Sequence, residues 1–93
     1  MPKYFEFKIA GYYLYFTSRC TLECMHAHAS EKGLREKISA KFFIKGNGDT
    51  EVPRKGILND REILKIQKFI KKNYTKMYEL WSMHSDNSFY IGK

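Results

Sequence analysis

The hydrophobic residues of this chain change their spacing once along the sequence, and that change constrains the fold more than any other feature. In the first half of the chain, apolar side chains recur at every second position, which is the period of a strand with one buried face. From Asn59 onward they recur at steps of three and four, which is the period of an amphipathic helix. The sequence therefore predicts strands followed by one long helix, an α+β fold.

The first two strands are predicted to form a hairpin. Residues 4–9 and 12–17 both alternate, and Ala10-Gly11 between them is suited to a tight reversal of the chain. The alternation predicts that one side of this hairpin faces the core. The side chains on that side are Phe5, Phe7, Ile9, Tyr12, Leu14 and Phe16.

Three further strands are predicted before the helix. Residues 25–30 form a short third strand, and residues 34–45 form a fourth. The Gly-Asn-Gly-Asp segment at 46–49 is the strongest turn signal in the chain, and residues 50–52 can return as an edge strand before Pro53 stops the pairing. The core side of the fourth strand is expected to consist of Ile38, Ala40, Phe42 and Ile44.

The helical period starts at a capping signal. Asn59 and Glu62 fit the N-cap and N3 positions of a capping box, in which each side chain accepts a hydrogen bond from the other residue's backbone N–H. We expect one domain over residues 1–93: an antiparallel sheet of four to five strands, the helix on one face, and a loosely docked tail at 83–93. The apolar stripe of the helix consists of Ile63, Ile66, Ile70, Tyr74, Met77 and Trp81, widened by Leu64, Phe69 and Leu80.

The composition indicates a folded, basic protein. Hydrophobic residues make up 43% and aromatic residues 16% of the 93 positions, which is too apolar for a disordered chain. The formal net charge of +7 favours phosphate backbones, acidic proteins or anionic surfaces as partners. No apolar run approaches the roughly 20 residues of a membrane span, and the first residues do not resemble a signal peptide, so we expect a cytoplasmic protein without a membrane partner.

His26 and His28 are the chemically most informative pair in the sequence. Their spacing of two places both imidazoles on the same face of the predicted third strand. If Met25 and Ala27 point to the core, the histidines lie on the sheet face that the helix leaves open. Their expected neighbours there are Tyr13, Tyr15 and Lys41.

Three interpretations of this pair stay open. The simplest is two strand residues that form ordinary hydrogen bonds. In the second, His26 and His28 act as general base and acid in RNA cleavage, and Arg19, Lys41 or Tyr15 stabilises the charged phosphorane. The third is a zinc site. Four ligands as close as Cys20, Cys24, His26 and His28 strain a tetrahedral geometry, although the two histidines could share a metal that a cysteine or His84 completes. We predict no metal and no cofactor.

Two surfaces are predicted to bind a ligand. The first is a stripe of cations on the helix, which would follow a phosphate backbone or an acidic partner segment, or would simply be a solvated helix face. The second is an aromatic platform on the open sheet face, formed by Tyr13, Tyr15 and Phe43 with Lys41 between them, on which bases would stack. The cationic stripe consists of Arg61, Lys65, Lys68, Lys72 and Lys76.

The order of several short motifs resembles a known bacterial family of small proteins. These motifs are Gly-Tyr-Tyr-Leu-Tyr-Phe at 11–16, the His-x-His strand, Lys-Phe-Phe-Ile-Lys-Gly-Asn-Gly at 41–48, and a Lys-rich helix ending at Trp81. Together they are similar to DUF family 4160, and the resemblance covers roughly residues 5–81. The chain departs from the family pattern at Met25, where the family usually has Pro, and in carrying Cys20 and Cys24.

The resemblance implies a function class and no reaction. Members of the family often look like one half of a two-gene pair of toxin-antitoxin type. We therefore expect a toxin-like protein that binds nucleic acid, RNA in preference to DNA, with ribonuclease chemistry as the sharper hypothesis. The alternative is a non-enzymatic interaction module that pairs with an acidic partner protein or with a second copy of itself.

Overall fold

A computed structural model describes residues 3–16, 23–30, 39–87 and 89–90, and it confirms the α+β class. The described strands form one antiparallel sheet in which sequence order and spatial order coincide, and one long helix follows them. The elements are β1 (Tyr13–Tyr15), β2 (His26–Ser30), β3 (Ala40–Ile44), β4 (Thr50–Arg54) and α1 (Asp60–Ser82).

The predicted reversal at Ala10-Gly11 is confirmed. Both residues have positive φ, at 53° and 91°, which is the geometry of a two-residue hairpin turn whose twist matches that of its strands. Ile9 and Tyr12 on either side exchange two backbone hydrogen bonds of 2.7 and 3.0 Å. The chain therefore folds back on itself at the predicted position.

The segment before this turn is not a regular strand, and its predicted inward pattern is wrong at Phe7, whereas Ile9 is buried and Phe5 packs partly buried against the core. It meets β1 only at isolated bridges, Lys3 with Tyr15 and Ile9 with Tyr12. More residues separate Lys3 from Ile9 than separate their bridge partners Tyr15 and Tyr12. The extra residues therefore bulge away from β1 and lose the alternation. As a result Phe7, expected in the core, is 55% exposed.

The second predicted hairpin is confirmed, and its return strand is longer than expected. The turn at 46–49 is closed by hydrogen bonds from Gly48 N to Lys45 O at 2.9 Å and from Lys45 N to Asp49 O at 2.8 Å. β4 then continues through Pro53. Proline is tolerated there because β4 lies at the edge of the sheet, where a missing N–H breaks no ladder.

One face of the sheet packs against the helix as the sequence predicts. The inward residues of β1 to β3 form a single hydrophobic cluster with the buried stripe of α1. Leu64 was expected to widen that stripe but is 51% exposed, whereas Tyr74, Phe69 and Leu80 are partly buried. Ile38 lies outside the described residues. The buried members of the cluster on these elements are Leu14, Ala27, Ala29, Ala40, Phe42, Ile44, Ile63, Ile66, Ile70, Met77 and Trp81.

Both ends of the helix have specific contacts. The capping box is confirmed, because Asn59 Oδ1 accepts from Glu62 N and Glu62 Oε1 accepts from Asn59 N, each at 2.9 Å. At the other end Trp81 Nε1 donates to Asn87 O at 2.8 Å, and Tyr90 N donates to Ile44 O at 2.8 Å.

Among the described residues, no helix combines the length and apolar character needed to cross a membrane.

Candidate functional site

The sheet face opposite the helix carries the residues that the alternation of side chains along each strand predicts. In the register of the sheet His28 pairs with Tyr15 on one side and with Lys41 on the other, and His26 pairs with Phe43. Residues that pair directly across antiparallel strands point to the same face. Tyr15, His26, His28, Lys41 and Phe43 therefore share one face, as the sequence predicted.

The centre of this face is buried, so the expected exposure of its residues is wrong. Relative exposure is 0% for Tyr15, 0% for His26 and 1% for His28. The His28 ring lies 5.5 Å from the Tyr15 ring and 5.1 Å from the His26 ring, between centroids. His26 also lies 5.7 Å from the indole of Trp81 at the end of α1. Strand parity identifies a face, but whether other segments cover that face depends on residues distant in sequence.

Each histidine has a polar contact at Nδ1. His26 Nδ1 lies 2.8 Å from the carbonyl oxygen of Cys24, which only accepts, so this nitrogen carries the proton. His28 Nδ1 lies 3.3 Å from Ser39 Oγ, and the carbonyl of Ser39 accepts in turn from Arg54 Nε at 2.9 Å. The hydrogen-bonded interpretation of the two histidines is thus the one that these contacts support.

The electrostatic environment keeps His28 neutral. Burial, with the nearby positive charges of His26, Arg54 and Lys41 and against an opposing effect of Glu23, lowers the pKa of His28 from 6.5 to about 3. Lys41 Nζ donates to Glu23 at 2.9 Å, and this hydrogen bond lowers the pKa of the Glu23 carboxyl. A buried imidazole that stays neutral at pH 7 lacks the imidazolium proton that a general acid donates to a leaving group. The acid–base hypothesis therefore has no support from this geometry and stays a prediction, and its third residue, Arg19, lies outside the described residues.

The rings of the predicted aromatic platform are occupied by groups of the protein itself. Lys3 Nζ lies 4.3 Å from the centroid of the partly exposed Tyr13 ring. Phe43 is stacked against Tyr90 at 4.5 Å, and Lys41 Nζ lies 4.7 Å from the Phe43 centroid. Together with the burial of Tyr15, these contacts leave no open ring face at the centre of the sheet for a base.

The residues proposed for the zinc alternative do not come together in the described part of the chain. Cys24 is exposed, and Cys20 lies outside the described residues. His84 packs with its ring 5.4 Å from that of Phe16. Within residues 3–16, 23–30, 39–87 and 89–90, no group of three or more His, Cys, Asp or Glu side chains is placed to hold a metal ion.

The basic stripe of α1 lies on the solvent-facing side of the helix. At about 100° per residue, its five side chains fall within about 80° of one another. They lie on the side of α1 opposite the buried residues Ile66 and Ile70. The members of this basic stripe, Arg61, Lys65, Lys68, Lys72 and Lys76, are all exposed.

Four described lysines outside the basic stripe are paired with acids, and Lys3 and Lys8 lie over the Tyr13 ring. The described ion pairs join Lys41 to Glu23, Lys45 to Glu51, Lys55 to Asp60 and Lys71 to Asp49. In the part of the chain that the structure describes, no carboxylate forms an ion pair with any member of the basic stripe. Among the described residues, this face of α1 therefore carries a row of five positive charges without carboxylate partners.

Lys71 shows how closely the turn at 46–49 approaches the helix. Its Nζ donates to Asn47 O and to Asp49 Oδ1, each at 2.9 Å. A cavity of about 400 Å³ lies between this turn and the helix, beside the basic stripe. Its lining consists of Lys45, Gly48, Asp49, Thr50, Gln67, Lys68 and Lys71.

One surface feature was missed from the sequence. Phe5, Phe7 and Phe69 form an aromatic cluster with centroid separations of 5.1 to 6.0 Å. The simple alternation over 4–9 places Phe5 and Phe7 in the core, so only the bulge in that segment reveals that Phe7 is exposed. No motif in the sequence signals this bulge.

Comparison with known proteins supports a family and no activity. The model of a family described as a domain of unknown function, DUF4160, matches residues 11–82. No curated protein and no solved structure matches the chain. The matched range includes all four strands and the whole of α1.

Proposed function

Because this chain belongs to the DUF4160 family, a domain of unknown function, we propose its role from its own surface: it binds nucleic acid, with RNA as the expected ligand, through the basic stripe of α1. The observation that carries the proposal is the contrast between paired and unpaired cations. Four described lysines elsewhere are held by carboxylates, whereas the basic stripe is exposed and without ion pairs among the described residues.

The geometry of the stripe fits a linear polyanion. Arg61 and Lys76 are fifteen residues apart, so at about 1.5 Å per residue the stripe extends for roughly 22 Å along the helix. A straight row of charges of this length can contact several successive phosphates of one strand. A small acidic ligand would use only part of the row.

The proposed binding site lies on the helix and not on the open sheet face that the sequence predicted. Tyr15, His26 and His28 are buried, so they cannot contact a strand from outside. Binding without cleavage is therefore the form of the proposal that the geometry supports. If the pure native protein cleaves RNA, and folded His26→Ala and His28→Ala variants do not, the ribonuclease hypothesis is supported instead.

Salt dependence tests the proposal directly. If five cations neutralise phosphates of a single strand, the logarithm of the affinity falls with the logarithm of salt concentration with a slope of about −3.5, or about 100-fold between 50 and 200 mM salt. The measurement is fluorescence anisotropy with a labelled mixed RNA pool. A slope near zero would contradict the proposal.

A charge-matched pair of variants shows where the RNA binds. The double variant Lys65→Gln/Lys72→Gln removes two charges from the basic stripe, and Lys45→Gln/Lys55→Gln removes two charges that are paired elsewhere. We expect the first to reduce the salt slope by about 1.4 and the second to change it little. Equal losses for both would show that net charge, and not the stripe, determines binding.

The resemblance adds a cellular context to the proposal. We infer a cytoplasmic, toxin-like member of a two-gene pair, whose action on RNA an adjacent gene product would restrain. Growth arrest on expression of the chain alone, relieved by co-expression of a neighbouring short acidic protein, is the expected result. Tight binding to that acidic protein without any RNA binding would instead favour the interaction module.

A further inference from the structure

The aromatic cluster of Phe5, Phe7 and Phe69 places one ring at the surface. Phe5 and Phe7 meet Phe69 edge-on, at interplanar angles of 87° and 81°, with centroid distances of 5.1 and 6.0 Å. Phe5 and Phe69 are partly buried against the core, whereas Phe7 is 55% exposed. Edge-to-face contacts are a favoured geometry for aromatic pairs. Phe7 therefore packs on the cluster and presents an apolar surface to solvent.

This cluster lies next to the basic stripe. Phe69 follows Lys65 by four residues and precedes Lys72 by three, and side chains at these spacings are neighbours on a helix surface. Both lysines are exposed. Phe69, on which the ring of Phe7 packs, therefore borders the row of cations.

A ring beside a row of cations favours one form of nucleic acid. An exposed aromatic ring binds a base by stacking, with little regard to its identity, while the cations bind the backbone. In a duplex the base faces are already stacked on one another and only their edges are accessible. The combination thus discriminates between strands that are unpaired and strands that are paired.

We infer that the ligand of the basic stripe is single-stranded and that one of its bases stacks on Phe7. This inference rests on the proposed function and specifies its substrate class. The backbone follows Lys65 and Lys72, and an unpaired base turns toward the aromatic cluster. A second copy of the chain or an apolar protein segment is the competing occupant of Phe7, and the experiment separates these cases.

The test compares one RNA sequence as a single strand and as a blunt duplex. Phe7→Leu keeps an apolar side chain against Phe69 but removes the aromatic face. We expect it to weaken single-strand binding about 5- to 150-fold, the range found for loss of one stacked base, and to leave duplex binding unchanged. Leu64→Ala, at a comparably exposed apolar residue of α1, is the matched control and should leave both unchanged.

A fluorescent variant gives a readout that does not depend on affinity. Trp81 is the only tryptophan and is buried, so Phe7→Trp adds one exposed reporter. Stacking of a base should quench this added fluorescence with the single strand and not with the duplex. Circular dichroism and thermal melting of each variant establish that it is folded before binding is compared.

The outcomes distinguish this inference from the proposed function. If the stripe variants lose RNA binding while Phe7→Leu binds the single strand as the native chain does, the stacking inference is wrong and the proposed function stands. Absence of RNA binding by the native chain contradicts both. If sedimentation shows a dimer that Phe7→Leu dissociates, the cluster is an interface between copies, and the inference is overturned.

Discussion

The burial of His28 predicts that the protein loses stability as the pH falls, over a window set by one imidazole. In the folded chain the pKa of His28 is lowered to about 3, because the ring is 1% exposed and lies near His26, Arg54 and Lys41. In the unfolded chain the same ring has its ordinary pKa of 6.5. Below that value the unfolded state binds a proton that the native state does not, so acid favours unfolding.

The magnitude follows from the two pKa values. The contribution of His28 is fully present above about pH 6.5 and is lost as the pH falls toward about 3, at a limiting rate of about 1.4 kcal/mol per pH unit. Between pH 7 and pH 5 the loss amounts to about 2 kcal/mol. This is a large share of the roughly 5 to 15 kcal/mol that stabilises a small domain.

Urea unfolding followed by the fluorescence of Trp81 measures this loss. Trp81 is buried in the folded chain, so its emission reports unfolding. We expect the free energy of unfolding to drop between pH 7 and pH 5 by about 2 kcal/mol more in the native chain than in His28→Gln, whose side chain does not titrate.

Two results would refute the reasoning. The first is an equal loss of free energy between pH 7 and pH 5 in the native chain and in His28→Gln. The second is an NMR titration in which the imidazole of His28 in the folded protein takes up a proton near pH 6.5. Either would mean that the ring is hydrated or faces negative charge in solution.

Three further predictions test the packing and the helix cap. Gly48→Ala should lower the free energy of unfolding more than Gly11→Ala. Both positions have φ near +90°, but only at Gly48 would the new Cβ meet another side chain, 2.6 Å from the Tyr74 ring. Chemical denaturation should therefore show a loss of about 1 to 2 kcal/mol for Gly11→Ala and a larger loss for Gly48→Ala. Asn59→Ala should cost about 1 kcal/mol by the same assay, with Asn59→Ser restoring most of it, because the capping hydrogen bond is lost. Trp81→Ala should cost about 3 to 5 kcal/mol and lower the melting temperature in calorimetry, because it opens a cavity and removes a buried hydrogen bond; an unchanged melting temperature would contradict this packing.

The side chains of the proposed binding surface do not stabilise the fold in the described part of the chain. Lys71 holds the turn at 46–49 through Asn47 and Asp49, and Lys41 binds Glu23. The cations of the basic stripe have no such ion pairs among the described residues. Because each of them is exposed and unpaired there, substitution to Gln should change ligand binding with little change in the free energy of unfolding, within about 0.5 kcal/mol.

The features that the sequence predicted correctly depend on residues close together in the chain. The helix, its capping box and its buried stripe follow from periodicity and from two side chains three residues apart. The shared face of His26 and His28 follows from the two-residue period of a strand, which any β conformation imposes. The exposure of the basic stripe follows from its position opposite the apolar one.

The features that only the tertiary structure decided depend on residues far apart in the chain. His26 and Tyr15 are buried, although parity alone placed them on an open face, and the Trp81 ring that lies against His26 comes from the far end of the helix. Phe7 is exposed because its segment pairs with β1 at two points whose spacing does not match. Local periodicity determines the direction of a side chain, but burial and strand register are set by contacts between distant segments, which no local pattern encodes.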